Sequence, residues 1–150
     1  MAVSWVKPSG LVDGHPASSK LDLFEGFAKK IVDGVKSNPA LWDNTVIFIT
    51  LDEGGGSYDS GYVQQLDFFG DGTRIPMIAV SKYSTGGHIT RSYTDHVSTL
   101  KFIEANWALP PITGRSRDNL PNPVAETNPY VPINRPAIGD LMDMFSFPIQ

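Results

Sequence analysis

Thr45-Val46-Ile47-Phe48-Ile49-Thr50-Leu51-Asp52-Glu53-Gly54-Gly55-Gly56 passes from seven almost wholly apolar residues straight into two acids and three glycines. No polar alternation interrupts 45–51. Both faces of this strand are therefore expected to be buried, as in a central strand of a sheet covered by helices on both sides. A second run, Arg74-Ile75-Pro76-Met77-Ile78-Ala79-Val80-Ser81, predicts another buried strand, with Pro76 near its start or at an edge.

Helical spacing appears on either side of these runs. Leu23, Phe24, Phe27, Ile31, Val32 and Val35 fall on one face of a helix predicted over Leu21–Lys36, with Ser18 or Ser19 as N-cap and Asn38-Pro39 as its end. Thr94 or Asp95 is expected to cap a second helix running to Trp107, with Val97, Leu100, Ile103 and Trp107 on its apolar stripe. Asp95 in the first turn suits the helix dipole. Beyond Leu109, Pro110, Pro111, Pro121, Pro123, Pro129, Pro132 and Pro136 forbid long regular elements, so this Pro-rich C-terminal segment is expected to wrap a surface irregularly. Ile138 to Phe147 can hold a short terminal helix with Leu141, Met142 and Phe145 facing inward. Alternation from Ala2 to Lys7 predicts a short strand at the start of the chain. A chain that opens in mid-strand is expected to be continued upstream.

The 150 residues make one domain on length alone, and 41% hydrophobic content excludes disorder by composition. Twelve Lys and Arg against sixteen Asp and Glu give a net charge of −4, and no basic run offers a nucleic-acid footprint. The absence of cysteine excludes a disulfide scaffold, a thiolate metal site and a Cys nucleophile. No apolar stretch approaches the roughly 20 residues of a membrane helix, and the N-terminus lacks the pattern of a signal peptide.

Chemistry is expected beyond the carboxyl end of the first strand, where open α/β sheets bind ligands. Asp52 and Glu53 stand there. Two adjacent acids after a buried run are costly unless something neutralises them, and the glycines let the backbone bend so that both converge on one cation. Oxygen donors favour Mg²⁺, Ca²⁺ or Mn²⁺, with Zn²⁺ also accepting carboxylates. The competing reading is a solvated acidic turn. Neighbours in sequence cannot easily flank a glycosidic bond from about 5 Å apart, which argues against a glycosidase pair. The three glycines lack the ending of a P-loop. His15, in Gly14-His15-Pro16, is a surface histidine or a site histidine; His96, at a helix start, is a structural or a site residue. His88 is uninformative. Ser81, Ser84, Ser92 and Ser98 have no nucleophile elbow around them, and no convincing nucleophile is found.

Taken together, Gly14-His15-Pro16, the run Thr50 to Asp59, the run Asp67-Phe68-Phe69-Gly70-Asp71-Gly72-Thr73-Arg74-Ile75-Pro76, and Asp95-His96-Val97-Ser98 through Phe102 to Trp107 resemble the bacterial phosphoesterase family. That family includes phospholipases C and acid phosphatases, within the alkaline phosphatase superfamily. The resemblance implies an α/β sandwich around a largely parallel sheet, one or more divalent metals, a Ser or Thr nucleophile and a phosphate ester substrate. It implies that Asp52 and Glu53 are metal ligands and that His15 lines the phosphate pocket. Asp95 and His96 match a family motif without an assigned role, and are kept as pocket candidates. Many members carry histidine where this chain has Ser60. The nucleophile and the remaining ligands belong to an N-terminal half with no counterpart here, so the chain resembles the carboxyl-terminal portion of such an enzyme.

The expected function is thus a metal-dependent phosphoric ester hydrolase, of phosphatase or phospholipase C type, with this chain supplying part of the metal site. The alternative is a non-catalytic truncated relative that binds metal, phosphate or a partner. An unrelated α/β enzyme using Asp52 as a base is a third option. An N-terminal portion or a second copy is the expected cover for the truncated face. Relatives of this kind are mostly exported.

Overall fold

The computed structural model describes residues 3–148. Residues 3–57 with 75–82 form one compact unit, and 58–74 with 83–148 form another.

In the first unit, α1 spans Leu21–Lys36, as the apolar spacing requires. Phe24, Phe27, Ile31, Val32 and Val35 are half-buried along one face. Neither Ser18 nor Ser19 caps it. Lys20 holds the N-cap position, while Ser19 Oγ donates to Leu11 O at 3.0 Å. Asp22 in the first turn and Lys36 in the last complement the helix dipole instead. A four-residue helix, α2 (Pro39–Trp42), follows, capped by the Asn38 side chain. Strand β1 (Ile47–Thr50) pairs with β2 (Met77–Val80) in antiparallel register, Ile47 opposite Val80 and Thr50 opposite Met77. β2 begins directly after Pro76, whose carbonyl accepts from Thr50 Oγ1 at 2.8 Å.

The chain is α/β, as expected, but the sheet differs from expectation in two ways. Its two strands run antiparallel rather than parallel. An apolar run reports burial and not strand direction, and residues 51–76 return to the sheet without a crossover helix. The β1 residues are also half-buried rather than buried, because a two-stranded pair leaves both its edges open. Val3 to Lys7 is not a strand; the part of that expectation resting on Met1 and Ala2 lies outside the described residues.

In the second unit, α3 spans Val97–Trp107. His96 occupies the boundary position, yet Asp95 does the capping: its Oδ1 accepts from Val97 N–H at 2.8 Å, and its own N–H donates to Ser98 Oγ at 3.2 Å. The buried face is not the expected Val97–Leu100–Ile103–Trp107 stripe. It carries Ser98, Lys101, Phe102 and Glu104. Two buried polar side chains, Lys101 of this face and Gln64, hold irregular backbone. Lys101 Nζ donates to Leu120 O at 2.6 Å and Ile138 O at 2.5 Å. Gln64, 1% exposed, donates through Nε2 to Ala137 O (2.8 Å) and accepts from Ala137 N–H (2.9 Å). Around these bonds sit Phe102, Ala137, Ile138 and Leu141, the buried apolar residues. The expected terminal helix shrinks to a 3-10 turn, Met142–Met144, followed by a bridge from Phe145 to Ser84. Phe145 packs on Phe102 with centroids 5.4 Å apart. No helix among the described residues is long and apolar enough to cross a membrane.

This packing can be tested at the C-terminal end of α3. Ala108 ends α3 in the left-handed conformation (φ 52°) with its N–H on Glu104 O. Glycine carries no Cβ penalty there, so Ala108→Gly should stabilise the fold by about 1 kcal/mol in urea titration. Glu104 is buried, and its carboxyl is pushed above the ordinary range by burial first and then by its hydrogen bond to Asp118, a neighbour that is also buried. Lys101 is the cation facing the pair. A raised carboxyl pKa means the folded state holds the proton longer, so stability falls as pH rises from the unfolded value through the folded one. Glu104→Gln keeps a donor to Asp118 without titrating. The variant should therefore gain on wild type as pH rises above the ordinary glutamate range in urea titrations; parallel profiles would refute this.

Candidate functional site

Two loops of the first unit carry the residues singled out from sequence. β1 delivers Leu51, and the chain then turns through Asp52, Glu53 and a bend closed by Ser57 N–H on Gly54 O (3.0 Å). Gly55 and Gly56 take φ of +59° and +79°, which β-carbon-bearing residues avoid. The other loop is Asp13-Gly14-His15-Pro16. Asp13 Oδ1 accepts from His15 N–H at 2.9 Å, and Gly14 turns at φ +80°. The loops meet: a Cβ added to Gly55 would lie 3.1 Å from Pro16 Cγ. Glycine at 55 is thus demanded twice, by its backbone angle and by the proline against it.

Asp52, Glu53 and His15 are all exposed. In the His15 ring, Nδ1 accepts from Ala17 N–H at 3.1 Å. The neutral imidazole therefore carries its proton on Nε2, which leaves that atom as the donor. Asp52 and Glu53 are hard-oxygen donors suited to a divalent cation. Among the described residues no group of three or more His, Cys, Asp or Glu side chains converges.

Asp95 and His96 belong to the second unit. His96 is exposed. The Asp95 side chain is 9% exposed and lies 3.5 Å from Arg117 Nη1. Burial, above all, pushes its carboxyl up; the Asp71 charge adds to this, while the Val97 N–H and Arg117 oppose it. Asp95 is thus first a helix cap in an ionic network.

Sequence reasoning missed that network. Arg117 Nε donates to Asp67 Oδ2 at 2.8 Å, and its Nη2 donates to Gly70 O at 2.6 Å. Tyr93 donates through its hydroxyl to Asp71 (2.9 Å) and accepts from Gln64 N–H (2.8 Å); burial raises its pKa. Asp59 accepts from Arg74 N–H (2.7 Å), Arg74 Nε (2.9 Å) and Gly61 N–H (2.8 Å). The Arg74 side chain, first, holds its carboxyl well below the usual range. The one signal in the sequence was that Asp59, Asp67 and Arg74 fall within the same motif runs.

With this geometry in place, comparison with known proteins gives a consistent picture. Residues 2–110 match the Phosphoesterase family. Phospholipase C B of Mycobacterium tuberculosis is 33% identical over 135 residues, covering 72% of this chain and 25% of that protein. Hemolytic phospholipase C of Pseudomonas aeruginosa is 27% identical over 167 residues, covering 97% of this chain and 20% of that protein. Non-hemolytic phospholipase C of Burkholderia pseudomallei is 27% identical over 171 residues, covering 97% and 23%. The chain spans about a quarter of the length of these curated relatives.

The Asp59–Arg74 pair makes a sharp prediction. A Cβ at Gly61 would lie 2.1 Å from Arg74 Cζ, so Gly61→Ala must expel the guanidinium from Asp59. Gly61→Ala should lower the melting temperature in wild type and be nearly neutral beside Arg74→Ala, a non-additivity that thermal melts of the four proteins will read.

Proposed function

Since this chain belongs to the Phosphoesterase family, we propose that it forms part of a metal-dependent phosphoric ester hydrolase, in the manner of the larger phosphoesterase domains it resembles. The observation that carries the reading is the meeting of Pro16 with Gly55, which joins the histidine loop to the acidic loop inside the matched region. In this reading Asp52 and Glu53 hold a divalent cation, of the Mg²⁺, Ca²⁺, Mn²⁺ or Zn²⁺ class. When bound, such an ion polarises a phosphoryl oxygen and lowers the pKa of an attacking hydroxyl. The chain's own contribution at the ester is His15. Its Nδ1 is engaged by Ala17 N–H, which leaves Nε2–H as a donor to a phosphoryl oxygen or to the leaving oxygen.

In the second unit, Asp95 is partly buried and bonded to the start of α3, where it serves as a positioning residue. His96, its exposed neighbour, is the pocket candidate of that unit. The names of the relatives favour a phospholipid as the ester and the phospholipase C type as the class. The nucleophile and the remaining metal donors are proposed to come from polypeptide outside this sequence, or from a second copy.

Calorimetric titration of the chain with Mn²⁺ tests the core of this reading. Binding should weaken about tenfold or more in Asp52→Asn and again in Glu53→Gln, because each removes a ligand. Metal affinity indifferent to both substitutions would remove the acidic pair from the site. His15→Ala should leave metal affinity unchanged and weaken phosphate binding to the metal-loaded chain.

A further inference from the structure

The arginines of the second unit are not all used alike. Arg74 is paired with Asp59, and Arg117 with Asp67 and Asp95. Arg91 and Arg135, both exposed, form no ion pair among the described residues. Each is held by a tyrosine instead. Arg91 Nε donates to the Tyr130 hydroxyl at 3.0 Å, with its guanidinium carbon 6.0 Å from the centre of that ring. Arg135 Nη1 donates to the Tyr62 hydroxyl at 3.3 Å. In a chain with sixteen acids and a net charge of −4, these are two cations fixed in place without an internal counter-ion.

One buried frame carries both pairs. Tyr62, Arg91 and Arg135 each stand two residues ahead of a frame residue, namely Gln64, Tyr93 and Ala137. Gln64 bonds both polar groups of Ala137, and its N–H donates to the Tyr93 hydroxyl at 2.8 Å. The Tyr62 and Tyr93 rings meet edge to face with centroids 6.1 Å apart. Arg74 brings a third guanidinium here: it lies against Gly61, the residue before Tyr62. The held arginines keep donors in hand. Arg91 retains both Nη groups, Arg135 retains Nε and Nη2, and each tyrosine that accepts a bond can still donate its own O–H.

We propose that Arg91 and Arg135, aimed by Tyr130 and Tyr62, bind a phosphate-bearing dianion on the second unit. Guanidinium forks match phosphate oxygens, and their bonds to an anion are charge-assisted. A tetrahedral dianion accepts from several directions, whereas a carboxylate accepts in its own plane. Donors that come from residues 62, 91, 130 and 135 therefore suit phosphate better than an acidic peptide. The tyrosines fix the guanidiniums beforehand, which lowers the ordering cost of binding. This site is separate from the acidic pair and needs no metal.

Titration of the full chain with inorganic phosphate in EDTA, followed by proton–nitrogen NMR of the arginine Nε–H groups, tests the proposal at about 0.15 M salt, where distant charges are screened. The Arg91 and Arg135 signals should shift together, and R91Q/R135Q should weaken binding about tenfold or more. Arg115→Gln removes an exposed arginine elsewhere and should bind like wild type. Co-sedimentation with phosphatidic acid vesicles separates the sources. Pelleting that R91Q/R135Q abolishes assigns the anion to a lipid headgroup, and phosphate binding without pelleting assigns it to a soluble ester. A wild type that binds neither phosphate nor vesicles overturns the proposal. So does R91Q/R135Q that binds like wild type, an equal loss in Arg115→Gln, or acetate that binds as tightly as phosphate.

Discussion

Seven prolines between 110 and 136 leave the C-terminal third of the chain without the means to form a backbone ladder. Buried side chains hold it instead. Gln64 bonds both polar groups of Ala137, as a neighbouring strand would. Lys101 gathers the carbonyls of Leu120 and Ile138. Asn134 does the same at the surface, donating to Asn122 O and accepting from Val124 N–H. A buried carbonyl left without a partner costs about 1–3 kcal/mol, so the apolar cluster of Ala137, Ile138 and Leu141 depends on these polar contacts to reach its place.

Irregular backbone also governs the candidate site. Its acids and its histidine lie on loops, and glycines let those loops approach. Gly14 turns the histidine loop beside Phe24, and Gly55 turns the acidic loop beside Pro16. Neither loop has a ladder of its own, and the Pro16 ring lies against Gly55 where the two come together. By contrast, Asp95 and Arg117 sit in a network that serves structure first: a helix start, a turn and a 3-10 segment share one guanidinium.

Much of this was legible in the sequence. The periodicity of Leu21–Lys36 marked a helix with the observed ends, and the apolar runs marked both strands. The motif runs pointed to the phosphoesterase family, to which the chain belongs. Strand direction was not legible, since Val46 to Leu51 reads the same in either orientation. Nor was the buried face of α3. A hydrophobic stripe was the natural reading of Val97, Leu100, Ile103 and Trp107, yet Ser98, Lys101 and Glu104 are the residues inside. Lys101 answers carbonyls supplied from 120 and 138, positions no local pattern connects to it. Arg117 escaped notice for the same reason, its partners lying 22 to 50 residues away.

Gly61 and Ser60 stand side by side under opposite rules. Any side chain at 61 falls on the Arg74 guanidinium, whereas Ser60 is open to solvent. The family resemblance sets histidine in many members where this chain has Ser60, and an exposed position leaves room for that larger ring.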